Sequence, residues 1–363
     1  MNGNGELRTV LGDQVSRLLA DRVGKSELES AETGASQAAL WLAIEENGLP
    51  SVLVPEDRGG VGGGWDEAEV VIRAAGRYHA PVPLVENILA GWLLSHAGLD
   101  MPLGMTSIAP VRADEALNLV RQGGGYRVTG GVTRIPWGRD VEHLAVFARC
   151  DGEPYVALVP KAAWRVMLED RNIAAEPRDT VHFDGLAVAA GVLPESIDPG
   201  HLLAFGGLAR ASQIAGALES VLEQSVQYAD DRTQFGQPIG KFQAVQQELA
   251  RMAGEVAAAG AAVEAAARAA ARRQNDALFE LAVAKIRASE AASIVAGITH
   301  QTHGAMGFTY EHTLHLATRR LWVLAGGVRL RNLLGRGPGP FPGRQGRAGP
   351  VARLGRSRIG SRL

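Results

Sequence analysis

Apolar residues recur at helical spacing near the beginning of the chain, on one predicted face: Leu11, Val15, Leu18, Leu19 and Val23. This pattern predicts helix over residues 8–48, in at least two segments. Helical spacing resumes over residues 65–78 and 85–98, after glycine-rich breaks at 59–64. Residues 1–105 are therefore predicted to form a helical domain.

Short segments rich in β-branched and aromatic residues follow, each bounded by Gly, Pro or Asp: residues 126–129, 143–148 and 155–160. Such closely spaced strands are typical of a compact antiparallel β domain. We predict that this domain spans residues 106–200.

Helical spacing returns from residue 201 onward, in a region rich in alanine. Four long amphipathic helices are predicted at residues 203–231, 241–273, 277–303 and 311–322. Long amphipathic helices with short connections form bundles. The predicted fold class is α+β, mostly α, with an N-terminal helical domain, a middle antiparallel β domain and a C-terminal four-helix bundle at 201–322.

Composition narrows the classes of function. Of the 363 residues, 46% are hydrophobic and 21% charged, and the net charge is −2, which gives no electrostatic basis for binding nucleic acid. Cys150 is the single cysteine, so a disulfide framework and a thiolate metal site are excluded. The first residues lack the features of a secretory signal, and no apolar run reaches membrane-spanning length. A cytoplasmic protein that does not bind membranes is predicted.

The segment 323–363 differs from the rest of the chain. It contains nine Arg, ten Gly and four Pro, and no Asp or Glu follows Glu311. Such a segment buries too little apolar surface to offset the entropy lost on ordering, so a disordered tail is predicted. One interpretation is a basic tail that touches RNA or another anionic surface.

Two local patterns are interpreted as structural. Four histidines lie close together, but only Glu311 accompanies them at a spacing suited to zinc, so no metal is predicted: His300, His303, His312 and His315. The Gly62–Gly64 run is not followed by Gly-Lys-Ser/Thr, as a phosphate-binding loop would be, and is interpreted as a hinge.

Several segments, in the right order, resemble the acyl-CoA dehydrogenase family. Residues 228–236, Tyr-Ala-Asp-Asp-Arg-Thr-Gln-Phe-Gly, with their continuation through Met252, are similar to the signature of the family's C-terminal bundle. Residues 301–308 and 319–322 are similar to its second signature, and residues 54–60 to part of its N-terminal domain. The resemblance covers residues 8–322.

The resemblance implies FAD as the cofactor, held between the β domain and the bundle, with its diphosphate end reaching a neighbouring subunit. Arg232 matches the residue that meets the pyrophosphate, for which a permanently charged, forked guanidinium is suited. A small turn matching Gly304 brings backbone N–H groups close to phosphate. The matching cofactor positions are Arg232, Gln234, Phe235, Gln243, Gln301, Gly304 and Ala305.

Two of these residues also have ordinary structural interpretations. Arg232 could instead form a surface ion pair with Asp230 or Asp231. Gln301 could instead cap a helix.

The family's reaction needs a carboxylate that removes the α-proton of an acyl thioester while the β-hydride passes to the flavin. Family members carry this Glu at one of two positions, which correspond to Val328 and Gly207 in this chain. Neither residue is a carboxylate, so no catalytic base is nominated.

The β-domain segments of the family are also altered. The Thr-Glu…Gly-Ser-Asp segment is not found between residues 106 and 121, and the aromatic-Ile-Ser/Thr element aligns with residues 134–136, Arg-Ile-Pro. Pro136 has neither a hydroxyl nor an N–H to offer the flavin. Trp137 either stacks on the flavin ring or packs as an ordinary core residue.

Two explanations account for these departures. The chain is similar to the reduced subunit of a heteromeric acyl-CoA dehydrogenase of the kind found in actinobacterial steroid degradation. Alternatively, the reading frame shifts at about residue 323. The codons for residues 324–334 can be chosen so that reading one base later gives Trp-Arg-Glu-Glu-Phe-Gly-Ser-Glu-Thr-Tyr-Trp, which is family-like and restores acids near the catalytic position.

The predicted function is FAD-dependent α,β-desaturation of an acyl-CoA by a homo- or hetero-tetramer. An electron-transfer flavoprotein or a similar acceptor is the implied redox partner. The alternative is a non-catalytic subunit that completes the FAD site of a partner.

Overall fold

The N-terminal region is helical, as predicted. The computed structural model of the protein describes residues 3–110, 115 and 117–327. The region contains α1 (Gly3–Arg22), α2 (Lys25–Thr33), α3 (Ala38–Glu46), α4 (Trp65–Arg77) and α5 (Leu84–His96). The predicted 8–48 helix is thus three helices. The first break falls at Gly24, the N-cap of α2, and the second follows Gly34, whose φ of 93° ends that helix in a left-handed cap.

The middle region forms a seven-stranded sheet. Its strands are β1 (Thr106–Ala109), β2 (Asn118–Gln122), β3 (Gly125–Pro136), β4 (His143–Cys150), β5 (Glu153–Pro160), β6 (Trp164–Leu168) and β7 (Arg178–Val192). The pairing order is β1-β4-β2-β3-β7-β5; β6 lies on β7, and the pairing of β5 with β4 closes the ring.

One detail of the predicted β domain is wrong, because the sheet is not purely antiparallel. β1 runs parallel to β4, with Thr106 opposite His143 and Ala109 opposite Val146. β2 also meets β4 in parallel, at the Asn118–Arg149 pair. A parallel pair needs a crossover connection, which here passes through β2 and β3. That long-range pairing leaves no local sequence pattern.

The C-terminal region is a bundle of four helices within the described residues: α6 (Pro199–Asp231), α7 (Gln243–Arg273), α8 (Leu278–His303) and α9 (Leu314–Gly327). A small hairpin, β8 (Thr233–Gln234) and β9 (Gln237–Pro238), connects α6 to α7. The last helix continues through residues 323–327, which the sequence assigns to the tail. Residues 328–363 lie outside the described residues.

Both helical regions share one hydrophobic core, whereas the sheet encloses a second one. The contact between α4 and α6 is close because glycines lie where the helices cross. A Cβ at Gly76 would lie 2.0 Å from the carbonyl oxygen of Gln213, and one at Gly216 would lie 1.9 Å from that of Arg73. Any larger residue would push the helices apart. Among the described residues, no helix has both the length and the apolar character required to cross a membrane.

Candidate functional site

The β8–β9 hairpin is an exposed projection at the end of α6. Arg232 caps that helix, with its backbone N–H bonded to the carbonyl of Tyr228. Its own carbonyl accepts a hydrogen bond from the Ile239 N–H at 2.8 Å, which closes the base of the hairpin. At the tip, Phe235 is 92% exposed and has a φ of 52°. An exposed apolar ring on a residue with a strained, left-handed backbone is typical of a surface that another chain or a ligand covers.

The Arg232 side chain is exposed and has no ion-pair or hydrogen-bond partner among the described residues. The neighbouring Asp231 accepts hydrogen bonds from Gln227 Nε2 at 2.9 Å instead. The alternative interpretation of Arg232, an ion pair with an adjacent aspartate, therefore does not occur in the described part of the chain. This leaves a guanidinium with all its side-chain donors available.

A second exposed turn follows α8. Gly304 has φ 59° and ψ −139°, and a Cβ placed on it would meet nothing within 4 Å. There is room for a side chain at this position, but the positive φ would strain any residue other than glycine. Gln301 and Ala305 beside it are exposed. Gln301 makes no side-chain hydrogen bond to the described residues, so the helix-capping alternative has no support.

Tyr228 connects the two exposed turns. Its hydroxyl donates to the carbonyl oxygen of His303 at 3.3 Å, and the two rings stack with centroids 4.3 Å apart. One helical turn deeper, Ser225 and Thr299 share a 2.6 Å hydrogen bond between α6 and α8. These contacts hold the ends of α6 and α8 together, so Arg232 and Gly304 lie at the same end of the bundle.

Gln243 joins this surface from a third helix. It is the exposed first residue of α7, directly after the short helical turn that the Phe242 N–H and the Ile239 carbonyl close. Gly240 in that turn packs near Asp230 and Ala229 of α6. We call the surface formed by the seven predicted cofactor positions the signature surface: Arg232, Gln234, Phe235, Gln243, Gln301, Gly304 and Ala305.

The histidines near this end take part in packing. His300 stacks on Phe308 with centroids 4.3 Å apart and contacts Thr318 Oγ1 at 3.1 Å. Burial lowers the pKa of His303, whose Nδ1 lies 2.9 Å from the Thr299 carbonyl. No group of three or more His, Cys, Asp or Glu residues in the described chain is arranged to hold a metal ion.

Comparisons with known proteins agree with this geometry. Residues 201–326 match the C-terminal domain model of acyl-CoA dehydrogenases, and residues 6–100 match the N-terminal domain model. Acyl-CoA dehydrogenase IpdE2 of Mycobacterium tuberculosis is 30% identical over 320 residues, covering 87% of this chain and 91% of the relative. The chain belongs to the acyl-CoA dehydrogenase family.

Solved acyl-CoA dehydrogenases share the fold. A variant of the Tcur3481–Tcur3483 steroid ACAD aligns with a TM-score of 0.80 at 24% identity, over 90% of this chain and 94% of that chain. The ChsE4–ChsE5 complex from Mycobacterium tuberculosis also gives 0.80 at 24% identity, over 91% of this chain and 96% of its own. At this identity the likeness concerns the fold alone.

One of the two positions predicted for the base lies in the described chain. It is Gly207, which is buried inside α6 and carries no carboxylate. Val328 lies outside the described residues. In the β domain, Arg134 and Trp137 both have positive φ, 60° and 59°, around Pro136. Trp137 is half-buried against the core of the sheet and also lines a cavity, which is compatible with both of its interpretations.

A buried group of charged residues was missed in the sequence. Glu86 of α5 and Arg210 of α6 form a buried ion pair one helical turn from Gly207. Lys285 of α8 is 1% exposed, and burial, followed by the nearby Arg210, lowers its pKa to about 8. Glu176 lies close enough to act on the charge of Arg210 and forms ion pairs with Arg178 and Arg320. The sequence did contain one signal of this buried group, because Lys285 lies within an otherwise apolar, alanine-rich stripe of α8.

Proposed function

We propose that this chain is a subunit of an FAD-dependent acyl-CoA dehydrogenase and that the signature surface holds the diphosphate end of an FAD at a subunit boundary. The observation that carries this proposal is the unpaired, exposed guanidinium of Arg232 beside the bare backbone of Gly304. A pyrophosphate needs a forked cation and accessible N–H donors, and this surface offers both. The exposed Phe235 would be covered in the same assembly.

The residues fit one end of FAD better than the other. The diphosphate end is matched by Arg232 and the Gly304 turn. The segment facing the flavin ring is not matched, because Pro136 has no N–H and no hydroxyl. FAD, when bound, accepts the hydride from the β-carbon of the acyl group.

The α-proton must pass to a base, and Gly207 offers none. We therefore propose that a partner chain supplies the base, while this chain contributes FAD contacts and stabilises the assembly. The product of the complete reaction would be the α,β-unsaturated acyl-CoA, and an electron-transfer flavoprotein or a similar acceptor would take up the two electrons.

Assembly into a homo- or hetero-tetramer is supported by exposed aromatic residues at the same end of the bundle. Phe308 is 66% exposed, Tyr310 76% and Trp322 43%. Exposed rings this close together are typical of a protein–protein interface. The ChsE4–ChsE5 neighbour is itself a complex of two chains, which favours a heteromer. A cytoplasmic location completes the proposal.

The second candidate is a purely structural subunit that completes a partner's FAD site and has no turnover of its own. Gly207 and Pro136 favour this candidate. Purification separates the two: flavin absorbance and acyl-CoA-dependent dye reduction are measured for the chain alone and for the chain co-expressed with its genomic neighbour. Flavin held by the chain alone, with turnover only once the neighbour is present, supports the first candidate. A chain that gains flavin only with the neighbour supports the second, and a complex without flavin contradicts both.

A further inference from the structure

A cavity of about 200 Å³ lies where the N-terminal helices, the β domain and α9 meet. We call it the Arg320 cavity. Its walls come from the loop after α2, the turn before α5, the β3–β4 loop and the β6–β7 loop. The lining residues that matter here are Pro81, Trp137, Arg139, Arg171, Glu176 and Arg320.

Arg320 is a buried cation with too few partners. It is 5% exposed, and its Nε has no hydrogen-bond partner among the described residues. Its nearest carboxylate oxygen is on Glu176, 3.7 Å away, and its Nη1 donates only to the carbonyl of Leu316 at 3.3 Å. Since a guanidinium has five N–H donors, most of this one's capacity is unused.

Glu176 does not satisfy Arg320, because other groups already bind its carboxylate. Arg178 Nη2 and Asn172 Nδ2 each donate to Glu176 Oε2 at 2.8 Å. Burial raises the pKa of Glu176, but Arg178 and Arg320 outweigh this and lower it overall. The carboxylate is therefore ionised and shared between two guanidinium groups.

The charges of the cavity wall balance in number, yet Arg320 has no close countercharge in the described chain. The wall carries three arginines (Arg139, Arg171 and Arg320) and three carboxylates (Glu32, Asp140 and Glu176), and burial lowers the pKa of Arg320 more than Glu176 and Glu32 raise it. Glu32 at the cavity wall is held by Arg319, and Arg139 by Asp179. Burying an unpaired cation is costly, so a compensating anion is expected.

His79 adds unused polar capacity beside these charges. The residue is 7% exposed, and neither ring nitrogen has a hydrogen-bond partner among the described residues. Burial, followed by the charge of Arg320, lowers the pKa of His79 to about 3. His79 does not line the cavity, and a neutral imidazole adds no countercharge for Arg320.

We propose that the Arg320 cavity is a carboxylate-binding subsite, with Arg320 as its principal contact. Its volume accommodates a carboxylate on a short carbon chain. This inference rests on the proposed function. The carboxylate belongs to an acyl-CoA substrate that carries a second acid group away from the thioester. Trp137, next to the segment that resembles the flavin-binding element, provides an apolar wall for the carbon chain.

The binding test uses the full chain, co-expressed with its partner where one is required, and titrates it with glutarate by calorimetry. Glutarate is expected to bind, and Arg320→Met to weaken it about tenfold or more, since a charged hydrogen bond is lost. The control is Arg287→Met, which removes a half-buried ion pair to Glu255 between α8 and α7, away from the cavity lining. It is expected to bind as the wild type does.

A second variant guards against misfolding of Arg320→Met. Gln37 lines the cavity on the loop after α2, and Gln37→Glu adds a carboxylate of the same shape there. It is expected to weaken glutarate binding several-fold by repulsion. No glutarate binding by the wild type, equal binding by all variants, or Arg320-dependent binding of inorganic phosphate without glutarate would each overturn the proposal.

Turnover distinguishes this proposal from the proposed function. The ratio of kcat/KM for glutaryl-CoA to that for pentanoyl-CoA is expected to fall about tenfold in Arg320→Met. Glutarate binding without turnover of any acyl-CoA by the complex would support the subsite and contradict the function. Turnover with an unchanged ratio would support the function and contradict the subsite.

Discussion

Tyr228 and His303 link the two halves of the signature surface. The hydroxyl of Tyr228, near the end of α6, donates to the last carbonyl of α8 at 3.3 Å, and its ring stacks on the imidazole at 4.3 Å. The exposed Arg232 lies four residues after Tyr228, and Gly304 directly follows His303. The relative position of the guanidinium and the turn therefore depends on one aromatic pair.

Removing this link should loosen the surface in two steps. Tyr228→Phe keeps the stacked ring and loses the hydrogen bond, so the free energy of unfolding is expected to fall by about 1 kcal/mol. Tyr228→Ala loses both, with a fall of about 2–3 kcal/mol and weaker flavin retention in the complex. Denaturant unfolding and flavin absorbance measure these effects. Tyr310→Phe, at an exposed ring, is the control, and a Tyr228→Ala complex that retains flavin normally would contradict the link.

His79 should make the protein sensitive to mild acid. Its pKa is about 3 in the folded protein and about 6.5 when unfolded, so the unfolded chain binds more protons between these values. The free energy of unfolding should therefore fall by roughly 1.4 kcal/mol per pH unit as pH drops below 6.5. In His79→Asn this contribution to the slope should vanish, and Asn tolerates the φ of 55° at this position.

The measurement for His79 is urea unfolding at several pH values between 5 and 7.5, comparing slopes because the smaller side chain also alters packing. His182→Asn serves as the control, at a half-buried histidine in β7. Equal slopes in the wild type and His79→Asn would show that the imidazole is not held neutral.

Lys285 should act in the alkaline range. Burial, with Arg210 second, lowers its pKa from 10.5 to about 8, so the unfolded state binds more protons between pH 8 and 10.5. The free energy of unfolding should therefore rise through this window, by roughly 3 kcal/mol in total. Lys285→Met should remove the rise. Unfolding curves at pH 7.5, 8.5 and 9.5 provide the check, and a rise that persists in the variant would show that it does not come from Lys285.

A shifted reading frame at about residue 323 would change the side chains at the end of α9. The family match ends at residue 326, and a Cβ on Gly326 would meet open space, so a larger side chain fits there. Lys285 donates to the carbonyl of Ala325 at 3.1 Å, close to the acids that the shifted reading restores. Sequencing the gene across codon 323 is expected to reveal a one-base difference from close relatives. An uninterrupted frame shared by those relatives would end this hypothesis.

The order of elements was predictable because each type has its own periodicity. Helical spacing located α4 and α5 and the four bundle helices to within a few residues, and β-branched runs located β3, β4 and β5. The parallel pairing of β1 with β4 was not predictable, since it joins segments that are distant in sequence. Gly24 and Gly34 divided the first predicted helix, which apolar spacing alone did not indicate.

The residues of the signature surface could be predicted from the sequence, whereas the buried charged residues could not. Arg232, Gln243 and Gln301 were nominated by resemblance, and the fold exposes them at one end of the bundle; their contact with FAD stays a prediction. The Arg320 cavity was not foreseen. Its charged residues come from α2, the β3–β4 loop, the β6–β7 loop and α9, and only tertiary packing brings these elements together.

The central claim is that the Arg232 guanidinium holds the FAD diphosphate across a subunit boundary, and flavin content tests it most directly. The ratio of absorbance at 450 nm to that at 280 nm should be measured for the assembled complex after gel filtration. Arg232→Ala should lose most of its flavin, Arg232→Lys should retain an intermediate amount, and Arg251→Ala, an exposed arginine on α7, should match the wild type. An Arg232→Ala complex that assembles and keeps its full flavin content would contradict the account.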